Sequence, residues 1–256
     1  MPTLLRPACV AILAAACLLC TAPRAARADE VTVAVAANFA RPMAEIAAGF
    51  SAATGHTLKV STGSTGKFYS QIISGAPFDV LVAADDETPK RLIAAGHAVA
   101  GSNFTYAIGV LVLWSAQPGL VDDQGAVLAS GRFSKLAIAN PKLAPYGTAA
   151  QEVLQARGLT DAIRPKLVTA ESIAQAYQFV FTGNAELGFV ALAQVAVPGK
   201  PTTGSMWRVP ANLHSDIRQD AVLLKAGEKN AAAAALLAYL KSPAARAVIQ
   251  AYGYRR

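Results

Sequence analysis

Val31-Thr-Val-Ala-Val-Ala36, followed without a break by Ala37-Asn38 and then by Phe39, Met43, Ile46 and Phe50, is the stretch on which the fold turns. The first six residues, β-branched and small, read as a strand; the four large apolar residues then recur at helical spacing as far as Gly55, a helix stop. A strand that passes through two residues into an amphipathic helix is the first half of a βαβ unit. The pattern repeats at once. Thr57 to Thr62 is a second strand, Gly63-Ser64-Thr65-Gly66 a turn, and a helix runs through Tyr69, Ile72 and Ile73 to Gly75. Phe78 to Ala84 is a third strand, after which Thr88-Pro89 supplies a cap and a first-turn proline for a helix ending at Gly96.

Tyr106 to Trp114 is long and apolar, and Pro118, Gly119 and Gly125 beyond it mark a crossing into another lobe. There the pattern returns: a strand from Leu136 to Asn140 leads through Pro145-Tyr146-Gly147 into a helix ending at Gly158. Lys166 to Ala170 leads into a helix carrying Ile173, Tyr177 and Val180. Leu187 to Val195 is another apolar run, Pro198 to Pro210 reads as irregular, and Ala221 to Leu224 as a returning strand. An alanine-rich helix to Leu240 and a helix opened by Ser242-Pro243 close the chain. The expected fold class is α/β, with two lobes of parallel-dominated sheets flanked by helices and a ligand cleft between them. Lobe I takes residues 29–107 plus 221–256 and lobe II residues 108–220, with hinge crossings near 107 and 220.

The N-terminus reads as a secretory signal, residues 1–28. Arg6 precedes an almost wholly apolar run over residues 8–22, and Ala26-Arg27-Ala28 places cleavage after Ala28. The run is shorter than the roughly 20 residues a membrane-spanning helix needs, so a protein secreted to the periplasm is expected. Cys9, Cys17 and Cys20 all lie inside it, so cleavage leaves 228 residues without a thiol and excludes disulfides, thiolate catalysis and cysteine-ligated metals. A lipoprotein signal retaining Cys17 is the alternative; Ala14 stands where such signals prefer leucine. Removing the segment's three arginines lowers the net charge from +7 to +4. Blocks of Lys/Arg interleaved with aromatic residues are absent, which argues against nucleic acid as a partner. The mild surplus can speed an anion's approach without forming a site for it.

The chemistry lies where strands hand over to helices. Such turns sit at the carboxyl ends of parallel strands, where ligands of open α/β sheets bind, and each aims the free N–H groups of a helix start at the crevice. Free amides and the helix dipole together favour an anion. Four turns qualify: Ala37-Asn38, Gly63-Ser64-Thr65-Gly66, Pro145-Tyr146-Gly147 and Glu171-Ser172-Ile173, two in each lobe. The Ser64 and Thr65 hydroxyls, the Tyr146 phenol and the Asn38 amide add neutral donors, a set suited to a fully ionised tetrahedral ion that can only accept hydrogen bonds. Taken singly, Asn38, Thr65 and Ser172 are ordinary helix caps and Tyr146 an ordinary core residue.

Competing chemistries fail on spacing. Gly66-Lys67 looks like the end of a phosphate loop, but Ser61 replaces the first glycine and Phe68 the closing Ser/Thr. His56, His97 and His214 fall outside the four turns and read as surface residues; no His/Asp/Glu cluster has metal-ligand spacing. Asp85-Asp86-Glu87 reads as acidic complementation of a helix start, lacking the partner group that acid–base catalysis needs.

Val33-Ala-Val-Ala-Ala-Asn-Phe39, Gly63-Ser-Thr-Gly-Lys67, Gly75-Ala-Pro-Phe-Asp-Val80 with Ala83-Ala-Asp85, Tyr106-Ala-Ile-Gly109, Ala139-Asn-Pro-Lys142, Ala144-Pro-Tyr-Gly147 and Leu187-Gly-Phe-Val190 occur in this order. With the closing Ser242-Pro243-Ala244 and Tyr252-Gly253, they resemble the periplasmic molybdate-binding proteins of ABC importers over essentially the whole chain after the signal. The resemblance implies a type II periplasmic binding fold that closes on molybdate or tungstate as transported ligand. It implies no further cofactor, no catalysis, a monomer, and a membrane permease as partner. Matched residue by residue, the expected oxyanion ligands are Ala37, Asn38, Ser64, Thr65, Tyr146 and Ile173. Much of that family carries serine in place of Asn38 and a tyrosine where this chain has Ala191; the Pro-Tyr-Gly version here supplies its tyrosine from Tyr146 instead. A binder of sulfate, another small anion or an organic acid is the nearest alternative, although none of the four turns carries the arginine a carboxylate would favour. A periplasmic enzyme would need an acid/base pair in the cleft, and the turns supply only Glu171. A ferric binder would bring tyrosines together, whereas Tyr146 and Tyr177 lie on different elements.

Overall fold

The computed structural model describes residues 29–255; the expected signal segment, with its three cysteines and the cleavage point after Ala28, lies outside the described residues. Among the described residues ten strands form two five-stranded sheets. In chain order they are β1 (Glu30–Ala36), β2 (Thr57–Gly63), β3 (Val80–Val82), β4 (Phe104–Gly109), β5 (Leu111–Ser115), β6 (Leu136–Ala139), β7 (Leu167–Ala170), β8 (Leu187–Ala191), β9 (Ser205–Arg208) and β10 (Ile217–Leu223). The sheet orders are β2-β1-β3-β10-β4 and β7-β6-β8-β5-β9.

Both sheets are mixed rather than parallel-dominated. β1 pairs with β2 and β3 in parallel, but β10 is antiparallel to both β3 and β4. In the other sheet β6 is parallel to β7 and β8, and β5 antiparallel to β8 and β9. The physical reason is the connection: β5 enters the second sheet directly from the first, β10 returns from the second, and each inserts as the one reversed strand. Strands joined by helical crossovers stay parallel, as crossovers require.

The long apolar run from Tyr106 to Trp114 is two strands rather than one, broken at Val110, which is all that separates the end of β4 from the start of β5. The return passes between Arg208 and Ile217, so residues 107 and 220 fall inside the hinge strands themselves. β10 begins four residues before the expected Ala221, because its first half carries Arg218, Gln219 and Asp220; Gln219 and Asp220 are nevertheless buried, at a bulge in the pairing with β4. β9 lies within the stretch expected to be irregular: four residues at a sheet edge, ordered by burial of Trp207 opposite Leu113. The Leu187–Val195 run divides into β8 and a helical turn, Leu192–Val195. The helix expected to start at Thr88-Pro89 spans Glu87–Ala94; the Asp85 carboxylate accepts from the Thr88 N–H at 2.7 Å and from its hydroxyl at 3.1 Å.

Each lobe has its own core. In lobe II, Trp114, Tyr146 and Phe189 are fully buried among the strands and their helices. In lobe I one face of the sheet packs Phe39, Met43, Ile46 and Phe50 against Leu236 and Leu240 of the alanine-rich Ala231–Leu240 helix. The other face packs Phe68, Leu81 and Leu92. Phe39 sits at the seam, its ring centroid 4.7 Å from that of Tyr106 and 5.5 Å from that of Tyr254. Truncating it should leave a cavity under the first turn. Phe39→Ala is expected to lower unfolding free energy by about 3–5 kcal/mol, read from the urea midpoint; a loss below about 1 kcal/mol would show that the surrounding rings close over the gap.

Candidate functional site

The site is built from helix starts. After β1 the chain makes a short 3-10 turn, Ala37–Phe39, and enters the Ala40–Thr54 helix. After β2, Ser64 is extended and precedes the Thr65–Ile73 helix, its hydroxyl making no capping bond. The Pro145–Ala156 helix has proline in its first position, so its first backbone donor is Tyr146. Ser172 caps the Ile173–Phe181 helix, its oxygen accepting from the Gln175 N–H at 3.3 Å. The helix-start N–H groups of Asn38, Thr65, Tyr146 and Ile173 have no acceptor among the described residues, as expected of first-turn amides.

All six residues singled out in the sequence, Ala37, Asn38, Ser64, Thr65, Tyr146 and Ile173, line one cavity, completed by Ala36, Gly63, Ala84, Ala144 and Pro145. Both lobes contribute to it. Between the lobes the Gly66 N–H donates to the Leu143 carbonyl at 2.9 Å, and a Cβ at Gly66 would stand 3.0 Å from Leu143 Cα. Elsewhere along the seam Arg41 donates to the Gln194 carbonyl at 2.6 Å. About 10 Å³ is free for the centre of a water-sized sphere, on the scale of one such sphere. The cavity is compact. None of the lining residues is acidic, basic or a histidine.

Behind the cavity wall lies a buried polar network. Asn38 Nδ2 donates to Gln219 Oε1 at 2.9 Å and to Tyr254 Oη at 3.0 Å. Tyr254 donates to the Asn38 carbonyl at 2.9 Å. Tyr106 donates to the Ala83 carbonyl at 2.8 Å and lies 2.9 Å from Gln219 Oε1. Gln219 Nε2 donates to Tyr146 Oη at 3.2 Å, tying the lobe II phenol to lobe I. Thr65 Oγ1 accepts from the Ala84 N–H at 3.0 Å, which leaves its own proton free. Both amide protons of Asn38 are thus engaged inside lobe I, and the donor it retains is its backbone N–H. Burial raises the pKa of Tyr106, Tyr146 and Tyr254 above the ordinary tyrosine value, so the phenols stay protonated.

Other residues considered in the sequence lie elsewhere. Ser172 and Glu171 border a groove outside the cavity, as does the exposed Lys67. Asp85, Asp86 and Glu87 line a separate groove of about 470 Å³, where burial raises the Asp85 pKa. The three histidines are half-buried rather than fully exposed, His56 accepting from the Asp29 N–H at 3.2 Å, and none lines the cavity. Among the described residues no group of His, Cys, Asp or Glu could hold a metal ion. Sequence reasoning passed over Gln219, Tyr106 and Tyr254. The one available signal was a polar Arg-Gln-Asp run placed directly before an apolar strand; the pairing that buries it joins residues more than 100 positions apart.

The chain matches the family model of bacterial extracellular solute-binding proteins over residues 31–255. It is 62% identical over 230 residues to the molybdate-binding protein ModA of Azotobacter vinelandii, covering 90% of this chain and 91% of that one. A solved structure of an Azotobacter vinelandii periplasmic molybdate-binding protein superposes with a TM-score of 0.86 at 44% identity, over 88% of this chain and 99% of that one. The fold is shared more widely: the sulfate-binding protein SubI of Mycobacterium tuberculosis superposes with a TM-score of 0.70 at 13% identity, over 89% and 86% of the two chains.

Two outcomes follow from the packing of the phenols. A Cβ at Gly109 would collide with the Tyr146 hydroxyl and stand 2.6 Å from Gln219 Nε2. Gly109→Ala should therefore destabilise by about 1–3 kcal/mol, and by less in the Tyr146→Phe background; equal losses in chemical denaturation would place the strain elsewhere. The raised phenol pKa values stabilise the fold fully below the unfolded value of 10.0. That contribution is lost as pH rises from there through the folded values. Melting temperature should fall above about pH 10, less steeply in Tyr254→Phe; a flat profile would contradict burial of the three hydroxyls.

Proposed function

The chain belongs to the bacterial extracellular solute-binding proteins, and from that premise we propose that it captures molybdate, and tungstate with it, between its lobes and delivers the oxyanion to the membrane permease of an ABC importer. The observation that carries this reading is a compact cavity walled by helix starts from both lobes, with neutral donors and no charged residue. A tetrahedral dianion without protons only accepts hydrogen bonds, so backbone N–H groups and hydroxyls answer it completely, while a carboxylate in the wall would repel it. Hydrogen phosphate must also donate a proton and finds no carboxylate there to receive it. The 62% identity to a molybdate-binding protein supports molybdate among the possible dianions.

The protein is a binder and not an enzyme: its relatives are solute-binding proteins. The cavity wall carries no group that titrates near neutral pH to act as acid or base. The six ligand residues expected from the sequence line one cavity within a protomer, which supports a monomer as the proposed capturing unit. A periplasmic setting accords with the A-x-A segment at residues 26–28 and with the periplasmic relative. A ligand bridging both lobes stabilises the closed form, and that shape is what a permease would distinguish from the open one.

Titration calorimetry of the ligand-stripped mature protein tests the reading. Molybdate and tungstate are expected to bind tightly at one per chain, with no heat from sulfate or phosphate. Sulfate binding alone would overturn the molybdate assignment and keep the oxyanion site; silence from all four ions would overturn both. Molybdate affinity should also stay flat between about pH 6 and 9, a range in which no Ser, Thr, Tyr or backbone amide titrates; a titration step inside it would require a charged group in the site.

A further inference from the structure

We propose that Gln219, which does not line the cavity, fixes the direction of the Tyr146 hydroxyl proton and so makes that phenol an obligatory donor to the bound oxyanion. The proposal rests on the oxyanion reading above and assigns a positioning residue to it.

Gln219 is fully buried on β10, the strand by which the chain returns to lobe I. Its carboxamide oxygen is pinned on one side, 2.9 Å from Asn38 Nδ2 and 2.9 Å from Tyr106 Oη. A carboxamide held by its oxygen presents its NH₂ on the other side, and Nε2 there reaches Tyr146 Oη at 3.2 Å. An amide nitrogen donates and never accepts, so at this contact the phenol oxygen must be the acceptor. The phenol has one proton, which must leave in another direction. Of its surroundings, the Tyr254 hydroxyl is a neutral acceptor within reach of Tyr146, already accepting from Asn38 Nδ2 and donating to the Asn38 carbonyl. The cavity, which Tyr146 lines, is where an ionised acceptor would sit, and an ionised acceptor outcompetes a neutral hydroxyl for the proton.

The consequence is selectivity by proton count. A phenol free to rotate could turn a lone pair to a protonated anion or a proton to an ionised one. With Gln219 donating to it, one lone pair is occupied and its proton is biased toward an ionised acceptor in the cavity. Alternation along β10 turns this side chain inward on the face of Ile217 while Arg218 between them is exposed, and the bulge that follows leaves Tyr106 of β4 as the extra residue beside it. The small residue at Gly109 leaves room for the two side chains to meet.

A double-mutant cycle with molybdate, read by calorimetry, tests this. Gln219→Leu and Tyr146→Phe should each weaken binding on the order of tenfold, the scale of one hydrogen bond to a charged group. In the Tyr146→Phe background Gln219→Leu should change affinity by less than about twofold, because residues acting through one contact are not additive. Gln219→Met, closer in length, carries the same cycle if Gln219→Leu does not fold. Gln219→Glu, nearly isosteric, turns the donor into an acceptor and should weaken molybdate at least as much as Gln219→Leu. A merely structural role for Gln219 would lower affinity equally in both backgrounds, and that additivity would overturn the proposal while molybdate binding by the parent chain upheld the oxyanion reading. Failure of the parent chain to bind molybdate would overturn both.

Discussion

Four helix starts drawn to one point, with no countercharge beside them, form the constraint on which the rest of the molecule depends. Each start leaves backbone N–H groups that water would normally satisfy, and the closed seam between the lobes leaves little room for water. Such an arrangement is stable only if a small anion answers the donors, or if the lobes part and hydrate them. On the proposed function closure and ligand capture are therefore one event, and a wall without charge leaves that event responsive to the anion's own proton state.

The sheets are laid out to serve this point. Because β5 and β10 are the reversed strands that exchange between lobes, the outward crossing runs from strand directly to strand, while the return passes through the irregular stretch and 3-10 turn between Arg208 and Ile217. Val110 alone separates the two sheets on the outward path. The polar network occupies the same place: Gln219 on β10, Tyr106 on β4, Asn38 beyond β1 and Tyr254 near the C-terminus meet there. The phenol of Tyr146 enters from the other lobe. Hinge geometry and site geometry share side chains, so a change in how the lobes meet alters the donors offered to the ligand.

Much of this was written locally. The period change after Val31-Thr-Val-Ala-Val-Ala36, the Gly63-Ser64-Thr65-Gly66 turn and the proline before Tyr146 each announce a strand ending in a helix start, since backbone propensity and capping act over a few residues. From these alone the α/β class, the two-lobe division and the four turns could be named, and the family resemblance narrowed the turns to six residues that line the cavity. Elements whose order comes from distant partners were not legible. β9 is four residues whose burial depends on β5, and the polar half of β10 reads as loop until pairing with β4 buries Gln219.

Sequence by itself determined which residues carry donors and that they stand at helix starts, because those are properties of short segments. Only the tertiary structure decided that the four starts converge, that the sheets are mixed, and that the Asn38 amide protons face lobe I while Gln219 backs the Tyr146 phenol. These follow from contacts between residues up to 216 positions apart, whose direction is fixed by packing and hydrogen-bond pairing across the fold and by no local preference of the chain.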